Sequence, residues 1–458
     1  MSRLLAAVKT QPDVALVLNY APIEVDRQYR YWRVRILLTT MVGYAIYYFV
    51  RTNISAPLGS MGDELGYSRE KLGTIVTIGG LMYGISKFVN GILGDHANPR
   101  YFMAFGLLGC ALMNVCFGAS STFLAFGGFW LLNNFFQGMG FPPCAKSMAQ
   151  WYSPGERAST FGIWHTSHMV GAGAVGALTG YLVQLLGWRS CFYIPAGIAA
   201  AGALIVFLFL RDTPGSLGLP PVEIYKGEES PRELDEEIRP EEPYREILWK
   251  YVLTSPFMWI ISVANLLVYT LRYAVMTWGP MFLHQAKGFS KIQAGWLQSG
   301  SEMGGLIGAL IAGYLTDRFF KGRAGRVCVL AMALLAVVVY LFRISPKNAS
   351  WVSASLFIAM AFLFYVPQML IASMAMTLGT KRASAAAVGL TGIVGYASQL
   401  ITGWGIGRLV DHHGWPAAFH LMFACACATL LLMAFTWNVG AHPHSAAIVE
   451  AKDVSPVS

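Results

Sequence analysis

Long apolar runs dominate this chain and limit what it can fold into. Segments of spanning length read at about 34–57, 72–94, 101–119, 122–145, 159–186 and 189–210. They resume at about 251–283, 291–316, 325–343, 349–375, 384–410 and 415–438. A run of roughly 20 apolar residues crosses a bilayer as a helix, because only a helix satisfies every backbone N–H and C=O within one segment. Charged residues make up 12% of the chain, against about 25% in a soluble domain, so a soluble globular fold is excluded. The expectation is an all-α membrane protein of twelve transmembrane helices in two six-helix lobes, at 34–210 and 251–438. A segment at 1–33, a linker at 211–250 and a tail at 439–458 complete the chain.

The net charge of +9 does not point to nucleic acid, because Lys and Arg gather in alternate loops, as membrane orientation requires. DRQYRYWRVR, DRFFKGRAGR and the pair Lys381–Arg382 fall on one side, which is expected to be cytoplasmic together with both termini. The first 35 residues hold no apolar core of the kind a cleaved leader carries, so the first hydrophobic segment is expected to remain as a helix. The linker contains ESPRELDEEIRPEEP and reads as a solvated connector, and the tail reads as disordered. Seven scattered cysteines form no C-x-x-C and have no histidine at zinc spacing. Neither a disulfide, a metal nor another cofactor is expected.

Two arginines interrupt the apolar runs: Arg51 in YAIYYFVRTN and Arg272 in NLLVYTLRYA. Arginine at mid-span costs about 2.5–3.5 kcal/mol on insertion scales, which marks a site facing a water-filled cavity. Asp63 and Glu64 follow Arg51 but read as loop, so they offer no counter-ion. The arginines lie 221 residues apart, and Tyr48 and Tyr269 share that offset. GILGD from 91 matches GYLTD from 313, GERAS at 155–159 matches TKRAS at 380–384, Pro142 matches Pro367, and Gly187–Trp188 matches Gly414–Trp415. The offset drifts from 221 to 227, as small loop insertions produce in a duplicated chain. One arginine per half at one depth suits a doubly charged anion, and phosphate fits a guanidinium fork best. Transporters of repeated halves bind substrate near the midplane.

Other polar residues in the runs are candidates. Lys87 sits within LMYGISKFVNGILG. Glu302 lies among small residues in LQSGSEMGGLIGA and is expected to pair with a cation such as Lys87 or Arg272. His165 and His168, three apart, share a helix face. His168 can change charge near neutral pH, as a phosphate ester can. Tyr48 and Tyr269 lie within a turn of the arginines, away from an interfacial belt. G-x-G-x-x-G at Gly171–Gly176 lies inside an apolar run with no preceding strand. It reads as close helix packing, not as a dinucleotide fingerprint, and Gly304-x-x-x-Gly308 reads the same way.

The repeated G-x-L-x-D loop resembles the signature of the major facilitator superfamily. YYFVRTN, YGISKFVNGILGD, FFQGMGFPPCAKSMAQWYS, RDTPGSLGLPP, VYTLRYA, FYVPQMLI and GLTGIVGY together resemble the organophosphate:phosphate antiporters over nearly the whole chain. The resemblance implies exchange of a phosphorylated metabolite, hexose 6-phosphate or glycerol 3-phosphate, for inorganic phosphate, with no enzymatic step. It implies a bacterial inner-membrane location, and oligomeric state stays open. It also implies substrate-binding residues: Arg51 and Arg272 on the phosphoryl group, with Lys87, His168, Glu302, Trp164, Tyr44, Tyr48, Tyr83, Tyr269, Tyr365 and Tyr396 around it, and His165 toward the organic part. Thr52, Phe141, His165, Val388 and Thr391 depart from the family pattern and leave the organic end open. Three rivals stand beside this reading. One is a sensor of hexose phosphate that partners a membrane kinase. Another is a proton-coupled carboxylate carrier. The third is an intramembrane phosphatase, which would need a nucleophile or metal beside the arginines.

Overall fold

The computed structural model describes residues 22–67, 69–227, 243–289, 291–346 and 350–439. The acidic stretch of the linker and the tail expected to be disordered lie outside them, except for their first or last residues. Every regular element among the described residues is helical. Leaving aside short turns at 215–217, 248–253 and 398–405, these are in chain order α1 (Pro22–Phe49), α2 (Leu58–Leu65), α3 (Arg69–His96), α4 (Pro99–Ala119), α5 (Phe123–Gln137), α6 (Phe141–Trp151), α7 (Pro154–Leu185) and α8 (Ser190–Phe209). Two short linker helices, α9 (Val222–Lys226) and α10 (Tyr244–Ile247), precede α11 (Pro256–Lys287), α12 (Lys291–Phe320), α13 (Ala324–Ile344), α14 (Ser350–Leu378), α15 (Ser384–Tyr396) and α16 (Ile406–Ala434).

Local sequence sets most of the boundaries. Asn98 caps the N-terminus of α4 with Pro99 in the first turn, and Thr122 caps α5. The turn between α7 and α8 falls at Gly187 (φ 78°), and α16 breaks at Gly414 (φ 74°), where a left-handed backbone favours glycine. The run at 122–145, read as one span, is two helices. Gly138 and Gly140 interrupt it, and Pro142 and Pro143 open α6, which continues to Trp151. Asp63 and Glu64 correct another reading. They lie in α2, where Glu64 pairs with Arg189 and accepts the Trp188 indole N–H at 2.9 Å. The hydrogen bond from Arg189 holds the Glu64 carboxyl below its ordinary value.

Burial is inverted relative to a soluble protein. Asn53, Asn90 and Asn133 are fully buried, whereas Leu108, Leu112 and Leu204 are more than half exposed. That distribution suits a solvent of acyl chains. Seven described helices or parts of helices are long and apolar enough to cross a membrane, by length and composition. α1, α7 and α12 are not among them, whereas α3 with Lys87 and α11 with Arg272 are.

The chain packs as two compact units. Unit 1 holds residues 1–153, 164–249 and 379–390, and unit 2 holds 154–163, 250–378 and 391–458. Each therefore takes in one short segment from the other sequence half. Within unit 1, Asp95 at the end of α3 accepts the backbone N–H groups of Ala385 and Ala386 at 2.8 and 2.9 Å, capping α15. Gly91 lets α15 approach, because a methyl group there would sit 2.7 Å from the Ala385 carbonyl oxygen. Within unit 2 the repeat does the same work: Asp317 accepts the Ser159 N–H at 2.6 Å, and Gly313 abuts the Ala158 carbonyl. The duplicated G-x-L-x-D motif thus sets a carboxylate on backbone N–H groups near a helix start, with a glycine spacer beneath it.

Candidate substrate site

In unit 1 the helix carrying the first arginine stops short of it. α1 ends at Phe49 and residues 50–57 form turns, which corrects the reading of one unbroken span to 57. The cause is a set of buried amides. Asn133 and Asn114 both donate to the Val50 carbonyl, at 2.9 and 3.3 Å, and Gln137 donates to the Tyr47 carbonyl at 3.1 Å. Asn53 donates in turn to Asn114 at 2.8 Å and to the Cys191 carbonyl at 2.9 Å. Side chains of α4 and α5 thus replace the hydrogen bonds a continuing helix would have made, and Arg51 emerges from a braced turn.

Arg51 lies flat on aromatic rings, with its guanidinium carbon 3.8 Å from the Tyr83 centroid and 5.1 Å from that of Tyr48. Cation–π contact holds the guanidinium against rings, and its Nη1 donates to the Tyr48 hydroxyl at 3.4 Å. Lys87, one turn beyond Tyr83 on α3, sits 4.6 Å from the Phe141 ring and 5.9 Å from that of Tyr83. Tyr44 packs 4.7 Å from Trp164 and 5.6 Å from Tyr48, and Tyr48 lies 5.5 Å from His168. The His168 Nδ1 meets the His165 carbonyl. A carbonyl only accepts, so Nδ1 carries the hydrogen. Tyr44, Tyr48, Arg51, Tyr83, Lys87, Trp164, His165 and His168 therefore form one connected cluster. Gly171 allows the close approach of α1 and α7 here, since an added methyl would strike the Ala45 carbonyl oxygen at 2.3 Å. Packing is thus the role of Gly171. Gly173 and Gly176, from the same motif, face open space.

Unit 2 holds its arginine differently. α11 runs unbroken through Arg272, whose guanidinium carbon lies 4.9 Å from the Tyr365 ring and 5.6 Å from that of Tyr273. Tyr365 is fully buried and donates its hydroxyl to Glu302 at 2.6 Å. Arg272 and Glu302 form no direct ion pair among the described residues; Tyr365 contacts both, its ring beside Arg272 and its hydroxyl on Glu302. The expected Arg272–Glu302 pairing is thus relayed through a hydroxyl. The buried Nε of Arg272 has no hydrogen-bond partner among the described residues. A buried guanidinium N–H without an acceptor costs free energy until one arrives. Tyr269 joins the set 5.7 Å from Tyr273 and 5.5 Å from Tyr396. Close packing of α12 on α14 comes from Gly304 and Gly308, the latter 2.3 Å from the Phe362 carbonyl oxygen once a methyl is added.

Every candidate residue falls into one of these two clusters. Reading the sequence missed Asn114, Asn133 and Gln137, which shape the turn before Arg51, and Tyr273, which flanks Arg272. The signal was present: ALMNVC and FWLLNNFFQG place amides inside apolar runs, where each must find a partner.

Residues 40–403 match the Major Facilitator Superfamily. The chain is 38% identical over 423 residues to a probable hexose phosphate transport protein of Chlamydia pneumoniae, covering 90% of this chain and 93% of that one. It is 36% identical over 424 residues to the glycerol-3-phosphate transporter of Bacillus subtilis, covering 91% and 95%. It is also 34% identical over 438 residues to the membrane sensor protein UhpC of Escherichia coli, covering 94% and 98%. Matched along most of its length, with both halves of the duplicated loop in place, this multi-pass membrane protein belongs to the major facilitator superfamily.

Proposed function

We propose that the protein exchanges a phosphorylated metabolite, a hexose 6-phosphate or glycerol 3-phosphate, for inorganic phosphate by alternating access. The observation that carries this reading is the pair of arginines at equivalent places in a duplicated chain, each cradled on tyrosine rings. Arg51 and Arg272 each give a guanidinium to the phosphoryl group, one from each half. Lys87 adds a third cation, and His168 matches the protonation state of the ester. Tyr44, Tyr48, Tyr83, Trp164, Tyr269, Tyr365 and Tyr396 line the path, and His165 meets the organic part. Arrival of phosphate gives the Arg272 Nε its acceptor, and Glu302 holds Tyr365 in place until then. Transport-protein relatives at 36–38% identity support the substrate class. The protein works as a monomer in a bacterial inner membrane with both termini cytoplasmic, and it leaves the ester bond intact.

The test is exchange of labelled phosphate in proteoliposomes against a panel of phosphate esters, with release of free phosphate from each ester measured alongside. Arg51→Lys and Arg272→Lys keep the charge but lose the fork. Each should weaken phosphate binding about 10- to 100-fold, the loss of one charge-assisted hydrogen bond or more. Exchange within twofold of wild type in either variant would remove that arginine from the site. Likeness to UhpC favours a second reading, a hexose-phosphate sensor partnered with a kinase. A protein that binds the ester yet fails to exchange phosphate would establish that role instead.

A further inference from the structure

Three arginines far from the candidate site converge on one helix end. Arg35 of α1 donates from Nε to the Phe209 carbonyl at 3.1 Å and from Nη2 to the Leu208 carbonyl at 3.2 Å. Arg211 donates from Nη1 to the same Leu208 carbonyl at 3.1 Å and to Leu210 at 2.8 Å. Arg100, in the first turn of α4, donates from Nε to the Phe207 carbonyl. The open carbonyls at the C-terminus of α8 thus gather three permanent positive charges, as a helix dipole favours. Two of them share one ring: Arg35 and Arg211 lie 4.8 and 5.4 Å from the centroid of Trp32.

One arginine would cap this end. Three repel one another, and no Asp or Glu pairs with any of them among the described residues. Asp212, next in sequence, is buried and faces Lys146 at 3.8 Å. Burial, and then repulsion from Arg100 and Arg35, lowers Arg211 from its ordinary value. Arg100 engages only Nε and Arg211 only Nη1 in side-chain hydrogen bonds, so N–H groups remain for an outside acceptor. The surroundings say what kind. Phe207, Leu208 and Phe209 are 37%, 47% and 45% exposed at the end of a helix long and apolar enough to cross a membrane. Orientation in the membrane asks only for basic residues near the span ends, not for three guanidinium groups around one set of carbonyls.

We propose that Arg35, Arg100 and Arg211 form a site for the phosphodiester headgroup of an anionic phospholipid, with its acyl chains lying along Phe207 and Phe209. A headgroup at this depth offers the missing negative charge, and the exposed rings offer the apolar surface that a free phosphate would not use. The site is separate from the exchange chemistry and does not depend on it.

Native mass spectrometry of the purified full chain, titrated with phosphatidylglycerol or phosphatidylcholine, tests the proposal. Phosphatidylglycerol should bind preferentially, and affinity should fall about fivefold for each guanidinium removed in Arg35→Gln, Arg100→Gln and Arg211→Gln. Excess inorganic phosphate should not displace it. Equal binding of the two lipids, an unchanged preference in the variants, or displacement by phosphate would each overturn the proposal. Where the triple variant fails to accumulate, the single Arg100→Gln and Arg211→Gln proteins are read in the same assay, beside the wild-type lipid comparison.

Discussion

A tyrosine hydroxyl inside an apolar helix bundle must find an acceptor, and Tyr365 finds Glu302. That one bond organises unit 2, because the same ring lies under Arg272. Tyr365→Phe keeps the ring but leaves a carboxylate without its donor, which should cost about 1–3 kcal/mol. Glu302→Gln added to it removes the charge that was left unsatisfied, so the double variant should regain much of the lost thermal stability. Unfolding followed by fluorescence in detergent reads this directly, and purely additive losses would mean that the two side chains act independently. Legibility at this scale divided cleanly. Arg51, Arg272, Lys87 and Glu302 were visible because a charge in an apolar run is conspicuous. The way each is held was not, since a relay through Tyr365 or a bed of Tyr48 and Tyr83 depends on helices distant in sequence.

At the scale of elements, the two halves hold equivalent arginines by unlike means. α11 continues through Arg272, whereas α1 stops before Arg51 because Asn114 and Asn133 take up the Val50 carbonyl. Asn133→Leu removes the nearer donor and leaves the Val50 carbonyl only the longer bond from Asn114, at a cost of about 1 kcal/mol. Because Arg51 hangs from that turn, KM for phosphate should rise about tenfold while kcat stays close to wild type. An effect on protein stability alone, with KM unchanged, would show that the amides brace the fold but not the arginine. Combining Asn133→Leu with Arg51→Lys should add little to the loss caused by Arg51→Lys, since both act on one contact. Glycines provide a contrast between positions that look alike in sequence. Gly171→Val must displace the α1 backbone at Ala45, and the protein should fail to accumulate. Gly173→Ala meets open space and should be neutral or stabilising by up to about 1 kcal/mol. Expression and unfolding of the two variants check this pair.

For the whole molecule, the duplicated G-x-L-x-D loop shows how much one motif can mean in two contexts. Asp95 caps α15 within unit 1, and Asp317 accepts a backbone N–H in the second turn of α7 within unit 2. Asp95→Asn and Asp317→Asn should each lower thermal stability, because a neutral amide accepts from backbone N–H groups near a helix start more weakly than a carboxylate. The proposed exchange belongs to the molecule as a whole. In the proposed mechanism the bound anion draws the two arginines together, so the empty protein should reorient slowly. Vesicles loaded with phosphate should therefore take up labelled ester, and vesicles without it should take up little. Equal uptake in both would mean a uniporter or a proton-coupled carrier.

Sequence by itself determined the membrane solvent, the succession of spans, the duplication and the charged residues that a span would not carry without purpose. These are readable because hydropathy and charge act residue by residue along the chain. Tertiary structure alone decided where α1 ends, that Tyr365 contacts both Arg272 and Glu302, and that three arginines ring the end of α8. Each depends on which distant carbonyl, hydroxyl or ring lies nearby, and a hydrogen bond in an apolar medium forms with whatever partner the packing supplies.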